Sequence, residues 1–301
     1  MTLLALLLSL MLERGLTHFL HLRELRWLDG YVDWSGRLIG QRTGHWLKLA
    51  AAAFVLLPVV PVALVSEALG SQLLGLPQLA FAVVVLLFSF GPRDLKDEVD
   101  DYLAALKCGD EAGASGRAME LLESDAVGRG AGRRIAVEEA IFVQANNRLF
   151  GVIFWFMVLG PAGAWLFRIS DLMRRRAAFE VSRRAQPPAE LDYSDALSWV
   201  HGALGWVPAR LTAMSYALAG SFEDAVGSWR LAVDQASHGL LDRTEDLLAR
   251  VGAGSLQASL TQVPADELDV ATARGAWRIV SRALWVWLAV IAALILAGNI
   301  A

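Results

Sequence analysis

Residues 279–300, IVSRALWVWLAVIAALILAGNI, decide the fold class. Past Arg282 this stretch carries no charged side chain. As a helix rising about 1.5 Å per residue it is long enough to cross the roughly 30 Å hydrocarbon core of a bilayer. Arg274, Arg278 and Arg282 stand at one end, with Trp277, Trp285 and Trp287 beside them. That is a cationic collar and an interfacial aromatic belt. The chain is therefore read as all-α, a polytopic helical membrane protein with cytoplasmic and interfacial helical segments.

Working outward, composition agrees. Of 301 residues, 19% are charged, against about 25% in soluble domains. Eleven Trp against four Tyr suit membrane interfaces. A formal net charge of −4 implies neither nucleic-acid binding nor a polyacidic substrate. A single cysteine, Cys108, excludes an intrachain disulfide and any multi-cysteine metal site. It reads as an ordinary thiol in a polar segment.

Three further apolar regions, one of them a hairpin of two runs, divide the chain. Residues 1–12 are apolar, with no basic stretch before them and no small-residue cleavage site after, and read as a retained short helix. Residues 46–66 and 72–90 form a hairpin, with a kink predicted where Pro58 and Pro61 remove helical hydrogen bonds. Together these make a segment 1–92. Residues 93–148 form a polar helical loop with a Gly-rich link over 109–116. Residues 149–220 hold an apolar run, 149–168, that spans or re-enters at Gly160-Pro161-Ala162-Gly163. After it, Arg174-Arg175-Arg176 and Arg183-Arg184 open a basic connector. The region 221–277 is amphipathic and helical, and 278–301 is the last span. Positive-inside bias places the loop with Arg23, Arg26, Arg37, Arg42 and Lys48 in the cytoplasm. A re-entrant 149–168 would keep both polar regions on that side.

The densest chemical signal is residues 204–213, LGWVPARLTA. If Pro208 opens a helix, Arg210 sits in its first turn, against the positive end of the dipole. That calls for an anionic partner. The partner is either a ligand or a protein carboxylate such as Asp195 or Glu13; alternatively Arg210 snorkels to headgroups. Glu13-Arg14 ends the first apolar run, where ionisable residues are functional or merely interfacial. Asn146, Asn147 and Arg148 open the third run, either orienting a ligand or capping a helix. The Gly128-Arg129-Gly130-Ala131-Gly132-Arg133 string lacks the phosphate-loop pattern and reads as a linker. His18, His21, His45, His201 and His238 are scattered and read as structural. No HExxH, Cys/His cluster or Ser-His-Asp pattern is legible.

Leu12-Glu13-Arg14, Asn147-Arg148-Leu149-Phe150, and Gly205-Trp206-Val207-Pro208-Ala209-Arg210 with Tyr216-Ala217-Leu218-Ala219-Gly220 resemble the AmpE family. Its members are inner-membrane proteins of Gram-negative bacteria, encoded beside a muropeptide amidase and described as signalling modulators of β-lactamase induction. The same Trp-Val-Pro-Ala-Arg block, and Ser35-Gly36-Arg37-Leu38-Ile39-Gly40, are similar to the larger CobD/CbiB family. Those membrane enzymes join an aminopropanol unit to adenosylcobyric acid with ATP in cobalamin synthesis. Their Glu-Asn-Thr-x-Asp-Gly sequence before the third span is here Asn146 to Gly151, with only Asn147 and the glycine kept. Their Asn-Thr-Leu-Asp after it is Asp171-Leu172-Met173-Arg174. Carboxylates are what such a site would use to hold Mg²⁺.

The resemblance thus implies a sensor or modulator of the bacterial inner membrane, linked to β-lactamase induction and cell-wall recycling. It binds a nucleotide or muropeptide-like anionic ligand through Glu13, Asn147, Arg168, Trp206, Pro208 and Arg210. No catalytic residue, metal or cofactor is expected. The bilayer is a partner, a homo-oligomer is possible, and nucleic acid is not a partner. The alternative is an ATP-dependent amide-forming synthase of the CobD/CbiB type.

Overall fold

The computed structural model describes residues 5–10, 26–39, 44–70, 76–90, 94–122, 128–183, 188–234 and 239–298. Every regular element among them is helical, and the protein is an all-α helical membrane protein. After a short helical stretch at residues 5–10 come α1 (Arg26–Ile39), α2 (His45–Leu56), α3 (Val59–Gly70) and α4 (Leu76–Ser89). There follow α5 (Leu95–Lys107), α6 (Glu111–Leu122), α7 (Ala131–Ala145) and a π-helical turn (Asn146–Phe150). The chain ends with α8 (Gly151–Arg183), α9 (Pro188–Ala219), α10 (Phe222–Asp234), α11 (Leu240–Leu260) and α12 (Leu268–Leu296). Ala131–Val181 and Leu268–Leu296 are each long and apolar enough to cross a membrane. The pair His45–Leu56 and Val59–Leu69, bent by 42°, is a third candidate if counted as one span.

The residues fall into two compact units. The first is Met1–Pro92, Gly151–Trp206 and Gly239–Leu241; the second is Arg93–Phe150, Val207–His238 and Asp242–Ala301.

In the first unit, α1 buries Leu28, Val32, Ser35 and Ile39, a helical stripe. It packs with Leu47, Ala51 and Val55 of α2, Leu166, Ile169 and Met173 of α8, and Ala196, Leu197 and Val200 of α9. Ser35 shares a 2.7 Å hydrogen bond with the Tyr193 hydroxyl. A Cβ on Gly36 would meet the Tyr193 ring at 3.3 Å, so the Ser-Gly pair is the seat of that ring. The outer faces of α2 and α3 present Trp46, Leu49, Leu56, Val60 and Leu64, apolar where a soluble helix would be polar.

Proline shapes this unit as the sequence predicts. Pro58 lies in the bend between α2 and α3, and cannot donate to the carbonyl of Phe54 four residues back. Tyr31 donates to that carbonyl instead, at 2.8 Å. Gly160 adopts φ 64, ψ −152, a left-handed conformation that favours glycine, and Pro161 opens the second half of α8. A Cβ on Gly163 would lie 2.1 Å from the Trp155 carbonyl oxygen. In a straight helix, residues eight apart are separated by about 12 Å along the axis. The chain therefore turns a sharp corner at the interruption.

In the second unit, Asp94 caps α5 by accepting from the Lys96 amide at 3.0 Å. α12 packs on α7 and α5 through Thr272, Ala273, Ala276, Ile279, Val280 and Ala283. A ring cluster of Phe142, Phe150, Tyr216 and Trp287 fills the centre, with the Tyr216 hydroxyl donating to the Phe142 carbonyl at 2.9 Å. Gly252 lies directly under Phe142, whose ring would be 2.3 Å from an added Cβ.

Three expectations are corrected. The link over 109–116 is mostly helix: Gly113 and Gly116 lie inside α6, and the turn is confined to Cys108–Asp110, where Asp110 accepts from the Gly113 amide at 2.9 Å. Arg174-Arg175-Arg176 opens no connector, because α8 continues to Arg183. Ion pairing to acids one turn away stabilises those arginines in helix. Pro208 opens no helix; it lies inside α9. Its missing donor would orphan the Leu204 carbonyl, and Trp155 Nε1 donates to that oxygen at 3.0 Å.

Candidate functional site

In the first unit, the corner at Gly160 directs the second half of α8 along α9. Arg168, Asp171 and Arg175, spaced three and four apart, share one helical face, with Arg174 adjoining. The Asp171 carboxylate is fully buried. Oδ2 lies 3.3 Å from Arg168 Nη1 and 2.8 Å from Arg175 Nε, and Oδ1 lies 2.9 Å from Arg174 Nη2. His201 of α9 completes the cluster. Its Nδ1 is 2.9 Å from Ser170 Oγ, its Nε2 3.8 Å from Asp171 Oδ1, and its ring lies against Phe167. Burial pushes the imidazole down to about 3, so it is neutral.

Serine, histidine and aspartate thus meet, yet the arrangement is no nucleophilic triad. Ser170 Oγ also bonds to the Phe167 carbonyl at 2.7 Å, and all three side chains are essentially inaccessible. An attacking hydroxyl must reach a substrate.

In the second unit, all five residues of the π-helical turn are buried. The extra residue of a π turn shifts the side-chain register, and such turns are frequent at functional sites. Here it turns three polar side chains inward. Arg148 Nη1 pairs with Glu98 Oε1 at 2.8 Å, and its Nε donates to Gln144 at 3.3 Å. Asn146 donates to Asn147 Oδ1 at 3.3 Å and accepts from the Thr212 hydroxyl at 3.2 Å. Asn147 Nδ2 and Glu98 Oε2 are buried without a hydrogen-bond partner. A buried amide in that condition costs about 1–3 kcal/mol.

The expected site residues are therefore distributed. Arg168 and Trp206 belong to the first unit, Asn147, Pro208 and Arg210 to the second, and Glu13 lies outside the described residues. Within the second unit the Asn146–Thr212 bond joins the π turn to α9, two residues beyond Arg210. Arg168 is buried in the Asp171 cluster, while Trp206 is 46% exposed. Pro208 is buried and Arg210 half-buried, its guanidinium pulled below its ordinary range by burial. Since Arg210 sits mid-helix, the first-turn dipole argument no longer applies to it. Asn147 caps no helix, since the helical chain continues through it.

Sequence reading missed Asp171 as a centre, together with Ser170, His201, Glu98 and Thr212. The arginines at −3, +3 and +4 from Asp171 were the available signal. Only Gly128–Gly130 of the glycine-rich string precede α7, against the reading of the whole string as a linker; Ala131, Gly132 and Arg133 form the first turn of that helix, where buried Arg133 is held by Glu111 at 2.6 Å, with Asp269 3.9 Å away.

The donor set does not fit a divalent cation. Magnesium sites use carboxylates; Asp171 is surrounded by guanidinium groups, and Asn146 and Asn147 are amides. Among the described residues, no three His, Cys, Asp or Glu side chains group as metal ligands.

Residues 1–301 match the family model described as "Regulatory signalling modulator protein AmpE". A curated relative, "Cobalamin biosynthesis protein CobD" of Chromobacterium violaceum, is 28% identical over 274 residues, covering 84% of this chain and 83% of that one. The protein of the same name from Stutzerimonas stutzeri is 29% identical over 177 residues, 58% of this chain and 55% of that one. No solved structure matches significantly.

Proposed function

Since the chain belongs to the AmpE family, we propose that it is a multi-pass inner-membrane sensor or modulator protein. It acts in β-lactamase induction and cell-wall recycling, and binds an anionic ligand without catalysing a reaction. The observation that carries the non-catalytic part is the Asp171 cluster. Where CobD/CbiB-type synthases have Asn-Thr-Leu-Asp, this chain puts its one acid among Arg168, Arg174 and Arg175. A carboxylate so neutralised is a poor cation ligand.

Ligand recognition rests on the second unit. Arg210 supplies a half-buried cation on α9, and Asn147 a buried amide donor in the turn joined to α9 through Thr212. A guanidinium and an amide N–H suit a phosphate or a carboxylate. Pro208, buried two residues before Arg210 in the same unit, is the further proposed contributor. The test is titration calorimetry of the purified full-length protein with ATP and with a muropeptide. Binding of either, weakened about tenfold or more by Arg210→Ala, is the expected result. Binding of neither, or binding indifferent to Arg210→Ala, overturns the reading.

A second reading, adenosylcobinamide-phosphate synthase, is favoured by the CobD relative that matches 84% of this chain. Expression in a cobalamin auxotroph lacking its own synthase separates the two. Growth supports the enzyme; no growth from a membrane-inserted protein supports the modulator.

A further inference from the structure

The C-terminal turn of α5 and the first turns of α12 enclose a groove of about 430 Å³ in the second unit. Lys107, Cys108, Arg274, Trp277, Leu103 and Asp100 line it. Its two cations are unspent: among the described residues, neither Lys107 nor Arg274 makes an ion pair or side-chain hydrogen bond. Its one acid is engaged, since Asp100 pairs with Lys96. The groove therefore presents two available positive charges beside a half-buried indole.

Its place along α12 identifies the occupant. From Trp277 to Leu296 the helix advances about 29 Å, close to the thickness of a hydrocarbon core. If Leu296 marks one boundary, Trp277 marks the other, where indole rings sit among headgroups. Arg274 lies a turn outside that level, at headgroup phosphate depth. Arg278, one turn on, is also exposed and extends the positive face.

We propose that the groove of Lys107, Arg274 and Trp277 seats the phosphate headgroup of an anionic phospholipid. The guanidinium and ammonium contact the phosphate oxygens, Trp277 packs along the glycerol region, and the acyl chains run down the exposed apolar face of α12. Basic pockets beside membrane helices hold anionic headgroups in this way.

Cys108, the chain's single cysteine, is exposed and lines the groove, and so reports its occupancy. The full-length protein is reconstituted in phosphatidylcholine vesicles with and without phosphatidylglycerol, and the rate of Cys108 alkylation by a neutral maleimide is measured. Phosphatidylglycerol is expected to slow labelling, and Lys107→Gln with Arg274→Gln to abolish at least about tenfold of that protection. Arg129→Gln with Arg230→Gln removes the same charge elsewhere and is expected to retain the protection. Thermal melting in detergent confirms that each variant folds. Three results overturn the proposal: no phosphatidylglycerol-dependent slowing; equal loss in the two double variants, which marks a bulk surface effect; and equal slowing by inorganic phosphate in phosphatidylcholine vesicles, which marks a site for free phosphate.

Discussion

The two units bury charge in different ways. In the first, one carboxylate, Asp171, is shared by three guanidinium groups that all come from its own helix, three or four residues away. In the second, Glu98 and Arg148 meet one to one across 50 residues of sequence, and Thr212 reaches Asn146 across 66. The first arrangement follows from helical periodicity alone, whereas the second exists only once several helices have packed. A locally built cluster concentrates its dependence on one residue. A cluster assembled at long range spreads it over several.

That contrast is open to measurement, and the largest effect should come from its sharpest point. Asp171→Asn removes the charge that three arginines share in a fully buried site, and is expected to cost about 3–5 kcal/mol in reversible detergent unfolding. A loss under about 1 kcal/mol would mean that the arginines are held by their other contacts. Glu98→Gln is expected to cost about 2–3 kcal/mol, less than Asp171→Asn, because Gln144 still accepts from Arg148. Equal losses would erase the distinction between the units.

His201 sharpens the comparison through pH. Burial lowers its folded pKa to about 3 from an ordinary 6.5, so the unfolded chain takes up the proton first as pH falls. The stability that rests on neutral His201 is complete above about pH 6.5 and is lost progressively toward pH 3. At pH 5 the loss is about 2 kcal/mol. His201→Gln should flatten that part of the stability profile; an unchanged slope would assign it to other groups.

The smallest effect is expected at the proline carbonyl. Trp155→Phe removes the donor to the Leu204 oxygen and should cost about 1–2 kcal/mol. In a Pro208→Ala background the restored backbone N–H competes for the same oxygen, so the penalty should fall by at least half. Additive effects in that cycle would show that the indole is not replacing the missing helical bond.

Legibility in the sequence followed the same division. The final span, the bend at Pro58 and the interruption at Gly160-Pro161 are all local. Each depends on side chains within a turn or two, and each could be read directly. Pro208 misled because a proline inside a helix and one that opens a helix look alike in one dimension. The donor that makes the interior position tolerable, Trp155, lies 49 residues from Leu204, whose carbonyl the proline leaves open. The π turn at Asn146–Phe150 has no composition of its own and depends on the buried contacts that its side chains make. The Asp171 cluster was legible in its spacing, but its burial and its contact with His201 were not.

By itself, the sequence determined that this is an apolar, helical membrane protein, because hydrophobic run length and proline position act through local backbone chemistry; the family came separately, from the resemblance of its motifs to AmpE. Only the tertiary structure decided which polar groups are buried, which charges are already neutralised and which remain available. Burial depends on desolvation by helices distant in sequence, and apart from the pairing of Asp171 with arginines three and four residues away no local pattern encodes it.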